Sequence, residues 1–257
     1  MSWASKRRTS YALGVFLFFA IVIGTPLAYW YFTIPATCTD GIQNQNETAP
    51  DKGGVCPVLD ERALSPSTIL WARSFQVRDG SYSAIAYVQN PNDGAGVASV
   101  GYKFKLYDSG NVLVAERTGR TFIMPGATTP IFEGAIPTGS RIASRTYLEF
   151  TEEVVWQRLD NRAKAISVTN VDVSDAATAP RVSANIRNTS VSDMRDVTFM
   201  VVVFDPAGNA FASSQTAVDS IEAGETQSIV FTWPDAFRIQ VGRIEVTPLV
   251  APTPPKK

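Results

Sequence analysis

Along much of the chain hydrophobic and polar residues alternate with a period of two, which predicts strands. The clearest stretch is Val100-Gly-Tyr-Lys-Phe-Lys-Leu-Tyr-Asp108, where Val100, Tyr102, Phe104 and Leu106 alternate with Gly101, Lys103, Lys105 and Tyr107. Such a segment lays one face on a core and the other in water. Asp108-Ser-Gly-Asn111 then supplies the residues that end a strand in a turn. The same succession returns as Val197, Phe199, Val201 and Val203 ahead of Asp205-Pro-Ala-Gly-Asn209. Between Ser67 and Val250 no segment carries a helical period, so the pattern predicts an all-β body.

The N-terminal region follows a different pattern. Tyr11 to Phe32 is a run of 22 residues without a charge, long enough to cross a hydrocarbon layer of about 30 Å as a helix. Tyr29, Trp30 and Tyr31 cluster at its far end, where amphipathic rings favour the headgroup layer. The run has no polar face, which argues against a buried core helix. It is longer than the apolar stretch of a cleaved leader, and no small-x-small cleavage site follows it closely. Lys6, Arg7 and Arg8 precede it and the next cation is Lys52, so a short N-terminus inside and the rest of the chain outside is the expected orientation.

The alternating segments repeat. Ala84-Ile-Ala-Tyr-Val-Gln-Asn90 aligns with Val182-Ser-Ala-Asn-Ile-Arg-Asn188 at an offset of 98 residues. Gly110-Asn111 aligns with Gly208-Asn209 and Gly126 with Gly224 at the same offset; Asp108 aligns with Asp205 at 97 and Phe132 with Phe231 at 99. A repeat this long is a duplicated domain and not a solenoid. Each copy has the size of an immunoglobulin-like sandwich, in which two sheets bury their inward faces together. Trp71, Phe75, Tyr102, Phe104, Phe122, Phe132, Tyr147 and Phe150 are the expected core of the first copy. Val182, Ile186, Phe199, Val201, Ile229, Phe231, Ile244 and Val246 are that of the second.

Composition then narrows the chemistry. The net charge of −1 is unlike the clustered basic surface that nucleic acid requires. The chain has no histidine, which removes Ser-His-Asp and Cys-His nucleophile systems and histidine-based zinc sites. Neither a Ser-Lys nor a paired-carboxylate motif is present, so no catalytic residue and no cofactor is expected. The two cysteines, Cys38 and Cys56, stand on the exported side, where a disulfide is favoured over free thiols. Between them Asp40, Asn44, Glu47 and Asp51 offer hard oxygen ligands suited to calcium. The same residue types also cap turns, and that alternative stays open.

The segment from Cys38 to Cys56 resembles a small motif of exported bacterial proteins, C-x-D-G-x-x-N-x-x-E-x-x-x-D-C-G-G-x-C-x-x-C. It matches at Cys38, Asp40, Gly41, Asn44, Glu47, Asp51, Gly53, Gly54 and Cys56. The motif's other two cysteines fall at Lys52 and Leu59, and their joint loss implies that Cys38 pairs with Cys56. Phe104-Lys-Leu-Tyr-Asp108 reads F-x-L-Y-D, and the first copy is similar to the FxLYD family of envelope β-sandwich modules. The second copy carries the degenerate Val201-Val-Val-Phe-Asp205. The whole chain resembles bacterial membrane-anchored proteins of unassigned role, a resemblance that transfers no catalytic or binding residue.

The expected organisation is a cytoplasmic stretch over 1–10, a transmembrane helix over 11–32 and the cysteine segment with its linker over 33–66. Sandwiches over 67–158 and 163–250 follow, then a disordered tail over 251–257. The fold class is therefore all-β, two tandem immunoglobulin-like sandwiches behind one transmembrane helix. One surface differs between the copies. The outward residues Lys103, Lys105 and Tyr107 have Met200, Val202 and Phe204 as counterparts, and a strand apolar on both faces needs cover on both. That cover is either packing within the chain, against the first copy or the Trp156 linker, or a partner at an interaction patch. The expected function is a non-enzymatic membrane protein that displays its sandwiches to an envelope protein or surface. The alternative is an accessory or sensor subunit docked through its helix.

Overall fold

The computed structural model describes residues 3–33, 37–44 and 46–255. Met1, Ser2, residues 34–36, Gln45, Lys256 and Lys257, and the side chains of Lys6, Trp30 and Tyr31 invoked above, lie outside the described residues. Residues 1–55 and 56–257 form two separate units.

In the first unit helix α1 runs from Trp3 to Thr33. It begins earlier than the uncharged run, because nothing in Ser5–Ser10 breaks a helix and the basic residues simply continue it. Its stretch Arg7–Tyr29 is long and apolar enough to cross a membrane. Every described side chain along that stretch is exposed, so within this unit the apolar surface has no protein cover. Pro26 lies inside the helix. In lipid-spanning helices such a residue is tolerated.

The described residues of the second unit form thirteen strands. The first half contributes β1 (Thr68–Arg78), β2 (Ser81–Asn90), β3 (Ala95–Tyr107), β4 (Leu113–Ile123), β5 (Ala127–Pro137), β6 (Arg145–Phe150) and the short β7 (Gln157–Arg158). The second half contributes β8 (Ile166–Ser174), β9 (Arg181–Asn188), β10 (Met194–Phe204), β11 (Ala210–Ile221), β12 (Thr226–Thr232) and β13 (Arg243–Leu249). They form four antiparallel sheets, ordered β1-β2-β5, β4-β3-β6 with β7 beside β3, β8-β9-β12 and β11-β10-β13. The strand order of the first two sheets reappears, strand for strand, in the last two. Pairing register also corrects one alignment. Ala86 faces Ile131 across the first pair and Ala184 faces Ile229 across the second, so Phe132 corresponds to Val230. A slip of one residue moves a side chain to the other face of a strand. Phe132 accordingly shares the face of Ile85, its cross-strand partner, and points away from the first half's own cluster.

Local chemistry at matched positions is also the same. Asn90 is buried and donates from Nδ2 to the carbonyls of Ala95 (2.7 Å) and Met124 (3.0 Å). Asn188 is buried and donates to those of Ser192 (2.9 Å) and Ile221 (3.1 Å). Asp108 ends β3 by accepting from the Val112 amide (2.9 Å), and Asp205 ends β10 by accepting from the Asn209 amide (2.7 Å). Asn111 sits at φ 64° and Gly208 at φ 84°, the left-handed conformations such turns need.

The sheets pack as successive layers. Tyr82, Ala84, Ala86 and Val88 on one face of β2 join Val100, Tyr102, Phe104 and Leu106 of β3 in one apolar cluster. Ile85 and Tyr87 on its other face join a second cluster with Met200, Val202 and Phe204 of β10. That second cluster continues through Phe199, Val201 and Val203 to Val182, Ile186 and Phe231. β2 is thus buried on both faces, as β10 is. Tyr87 packs against Trp71 with ring centroids 4.5 Å apart and planes tilted by 53°. Burial, and then the Glu245 carboxylate beside it, push the Tyr87 phenol above its ordinary value.

Two groups of expected core residues sit elsewhere. Trp71, Phe75, Phe122 and Phe132 pack against the second cluster and not the first, and Tyr147 is half exposed. Ile244 and Val246 are partly buried at the margin of the second cluster. Trp156 is buried with the first cluster, where the Leu59 amide donates to its carbonyl at 2.8 Å.

Candidate functional site

The candidates named from sequence are dispersed over the chain. Cys38 and Cys56 are disulfide-bonded. The oxygen-bearing side chains between them are engaged by their own loop. Asp40 accepts from the amides of Ile42 (2.9 Å) and Thr37 (3.2 Å). Asp51 accepts from those of Asp40 and Gly41, each at 2.9 Å. Glu47 accepts from the amides of Asn44 (3.1 Å) and Asp51 (3.2 Å). The Ile42 amide leads the contacts that hold the Asp40 carboxyl below its usual range. Three of the four residues expected as calcium ligands thus accept from amides of their own loop, whereas Asn44 donates to Asp40 at 3.2 Å and its buried Oδ1 has no hydrogen-bond partner.

Met200, Val202 and Phe204 lie inside the chain. Their cross-strand neighbours on β13 are Thr247, Glu245 and Arg243, and the Arg243 guanidinium sits 4.0 Å from the Phe204 ring centre. Glu245 and Thr247 face Tyr87 of β2. The apolar face of β10 is therefore covered by the β1-β2-β5 sheet, which leaves no open patch at these three residues.

Where that interface reaches its edge, the two halves draw apart around a cavity of about 300 Å³. β1 contributes Phe75 and Arg78 and β2 contributes Ser83, which pairs with Phe75 across the sheet. β11 contributes Phe211 and Ser213, on the face that meets β2. The segment after β12 contributes Trp233 and Phe237, held by backbone bonds from the Trp233 amide to Pro180 and from the Phe237 amide to Ala176. Phe237 stands edge-on to both Trp233 (5.0 Å) and Phe211 (5.3 Å).

Three polar atoms of the lining residues are sealed behind the surface of this aromatic cage. Ser83 Oγ, Ser213 Oγ and Trp233 Nε1 are buried, and none has a hydrogen-bond partner in the protein. The three side chains belong to residues exposed by 2%, 3% and 8%. At the mouth Arg78, Asp79, Asp235 and Arg238 are exposed and line a wider outer recess. Among the described residues none of these four is in an ion pair; Asp79 accepts from the Gln76 side chain at 3.3 Å. Sequence reasoning missed this site. The signal it offered was faint: Ser83 in the largely apolar β2, and Ser213 among the several polar residues of β11.

No protein-family model matches the sequence, and no curated protein is similar to it. A solved transglutaminase from red sea bream is similar at TM-score 0.25 and 10% identity, over 74% of this chain and 32% of that one. A β-glucuronidase of glycoside hydrolase family 2 is similar at TM-score 0.25 and 11% identity, over 85% of this chain and 29% of that one. The tandem CBM22 domains of Paenibacillus barcinonensis Xyn10C give TM-score 0.16 and 8% identity, over 73% and 91%. This chain spans about a third of the length of the first two. None of these likenesses reaches the level at which two proteins share a fold.

Proposed function

We propose that this is a single-pass, membrane-anchored protein that displays two tandem β-sandwich modules outside the cytoplasm and works by binding, not by catalysis. The observation that carries the reading is α1, whose stretch Arg7–Tyr29 is uniformly exposed and apolar enough to span a bilayer, ahead of an all-β body. Arg7 and Arg8 at its start support an N-terminus kept inside. The repeated strand order and the matched asparagines and aspartates support descent of both modules from one FxLYD-like ancestor. The absence of histidine, which removes histidine-based nucleophile systems, supports a binding role. Phe104 and Leu106 are buried and Asp108 caps its turn, so the F-x-L-Y-D residues act as scaffold.

Topology tests this directly. Protease added to intact spheroplasts is expected to degrade the β modules, leaving a membrane-protected fragment that contains α1. Protection of the β modules until the membrane is lysed reverses the orientation. Release of the whole chain into the soluble fraction removes the anchor.

A further inference from the structure

We infer that one end of the outer face of the β4-β3-β6 sheet, where Arg141 and Arg145 meet Leu113 and Tyr147, docks a segment of a partner protein that carries two carboxylates beside an aliphatic or aromatic side chain. The inference rests on the binding role proposed above and gives that role a surface and a class of partner.

The pairing register builds the surface. Leu113 of β4 and Arg145 of β6 lie directly opposite Tyr107 of β3 on its two sides, so all three share the face that points away from the first half's core. Tyr147, two residues on from Arg145, shares that face, with its ring centroid 5.7 Å from that of Tyr107. The bordering segments continue the row. Val112 belongs to the turn between β3 and β4 and Ile142 to the loop between β5 and β6, where the Ser144 amide ties the loop to the Tyr107 carbonyl at 2.7 Å. Leu113, Val112, Tyr147 and Ile142 are 40%, 50%, 50% and 69% exposed, whereas further along the same face Lys103 and Lys105 take the outward positions.

The arginines decide what covers it. Arg141 Nη1 donates to the Leu113 carbonyl at 2.9 Å and Arg145 Nη1 donates to Asn111 Oδ1 at 3.1 Å, so both guanidinium groups are drawn to the same turn. Among the described residues neither is in an ion pair, although every cation of β3 and β4 is: Lys103 with Glu116, Lys105 with Glu149, Arg117 with Glu133 and Arg120 with Glu152. Asp108, at that turn, accepts from the Val112 amide instead. Two like charges held close without a counter-charge repel, and an anion relieves them. Each guanidinium is positioned through one nitrogen and keeps donors for a carboxylate, and a group ordered in advance costs less to engage. The open apolar side chains beside them ask for an apolar side chain in return. Position favours a protein segment over a bilayer. The Leu59 amide ties the linker to the Trp156 carbonyl, and the adjoining β7 pairs with Ala95 and Gly96 where β3 begins, whereas this surface lies where β3 ends.

The test uses the full chain in phosphatidylcholine nanodiscs and three pools of fluorescein-labelled peptides. Members of the first pool carry two Asp or Glu residues, at every spacing from about one to four, beside Leu, Ile or Phe. The second pool has Lys in place of the acids, and the third has Ser in place of the apolar residues. Members of the first pool are expected to bind saturably with Kd below roughly 1 mM, and the other pools at least about tenfold more weakly. Arg141→Gln with Arg145→Gln should weaken the first pool about tenfold or more, and Arg141→Lys with Arg145→Lys, which keeps the charge but loses the fork, should weaken it less. Leu113→Ser with Ile142→Ser should weaken it without changing its salt dependence. Arg181→Gln with Arg187→Gln, which removes the same charge from exposed positions on the second half, should leave binding unchanged, and unaltered unfolding midpoints report an intact fold. If no member of the first pool binds saturably by roughly 1 mM, the inference is overturned. An equal loss with Arg181 and Arg187 reduces the binding to general charge and overturns it too. Arginine-dependent capture of phosphatidylglycerol vesicles in place of peptides makes the surface a lipid contact, which also overturns it. None of these results depends on membrane orientation, so this test and the protease experiment fail separately.

Discussion

Asp205 does for the second half what Asp108 does for the first, and it does so with more contacts. Its carboxylate accepts from the Asn209 amide at 2.7 Å and from the Asn209 side chain at 3.1 Å. The backbone bond from Asn209 comes first, and the Asn209 side chain second, in holding the Asp205 carboxyl below its ordinary value. A folded-state value below the unfolded one, about 3.9, gives stability that is complete above that pH and fades as acid titrates the folded carboxylate. Urea midpoints measured between about pH 2 and pH 6 should therefore fall on acidification below about pH 4. Asp205→Asn should lower the midpoint at pH 6 and flatten the acid limb. A variant whose acid limb matches that of the natural chain would remove Asp205 from this role.

At the scale of elements, the strand easiest to read was β3, because one face meets a core and the other meets water. Lys103 pairs there with Glu116 at 3.5 Å and Lys105 with Glu149 at 2.7 Å, so alternation and environment agree. For β10 the apolar second face was legible, but its cover was not. The cover is β2, whose Ser83, Ile85 and Tyr87 look unremarkable until the sheet is known to be buried on both sides. The same cause hid the cavity. Its residues come from β1, β2, β11 and the segment after β12, and each is ordinary within its own strand. No short-range pattern marks a site that exists only after layers stack. The large aromatics of the first half were misplaced for the same reason, since period two assigns a face but does not say which neighbour that face meets. Val202 is fully buried and Phe204 nearly so. Changing them together to Lys and Thr should cost about 4 kcal/mol or more, because it buries an unpaired ammonium and empties an aromatic site. Denaturant unfolding of the full chain checks this, and an unchanged midpoint would show that the covered face contributes nothing.

On the scale of the whole β body, what matters is which sheet meets which. The β1-β2-β5 sheet of the first half packs on the β11-β10-β13 sheet of the second, and these are not counterparts of one another. The contact is head-to-tail, not two-fold symmetric. Contacts of that kind do not close on themselves, and repetition extends them into a filament. Each half still carries the face that its twin uses. On the first it is the outer face of β3, with Lys103, Lys105 and Tyr107 in place of Met200, Val202 and Phe204. On the second it is the outer face of β9, with Ser183 and Asn185 in place of Ile85 and Tyr87. The stack therefore stops at two because both ends are painted with charge and amide, which makes those polar residues terminators of a potential polymer. Repainting both ends, with Lys103→Met, Lys105→Val, Ser183→Ile and Asn185→Tyr, should turn the chain into concentration-dependent fibres visible by light scattering and electron microscopy. Repainting one end alone should leave it dispersed. The few side chains that look least informative in the sequence would then be what keeps the stacking of sheets from propagating from one molecule to the next.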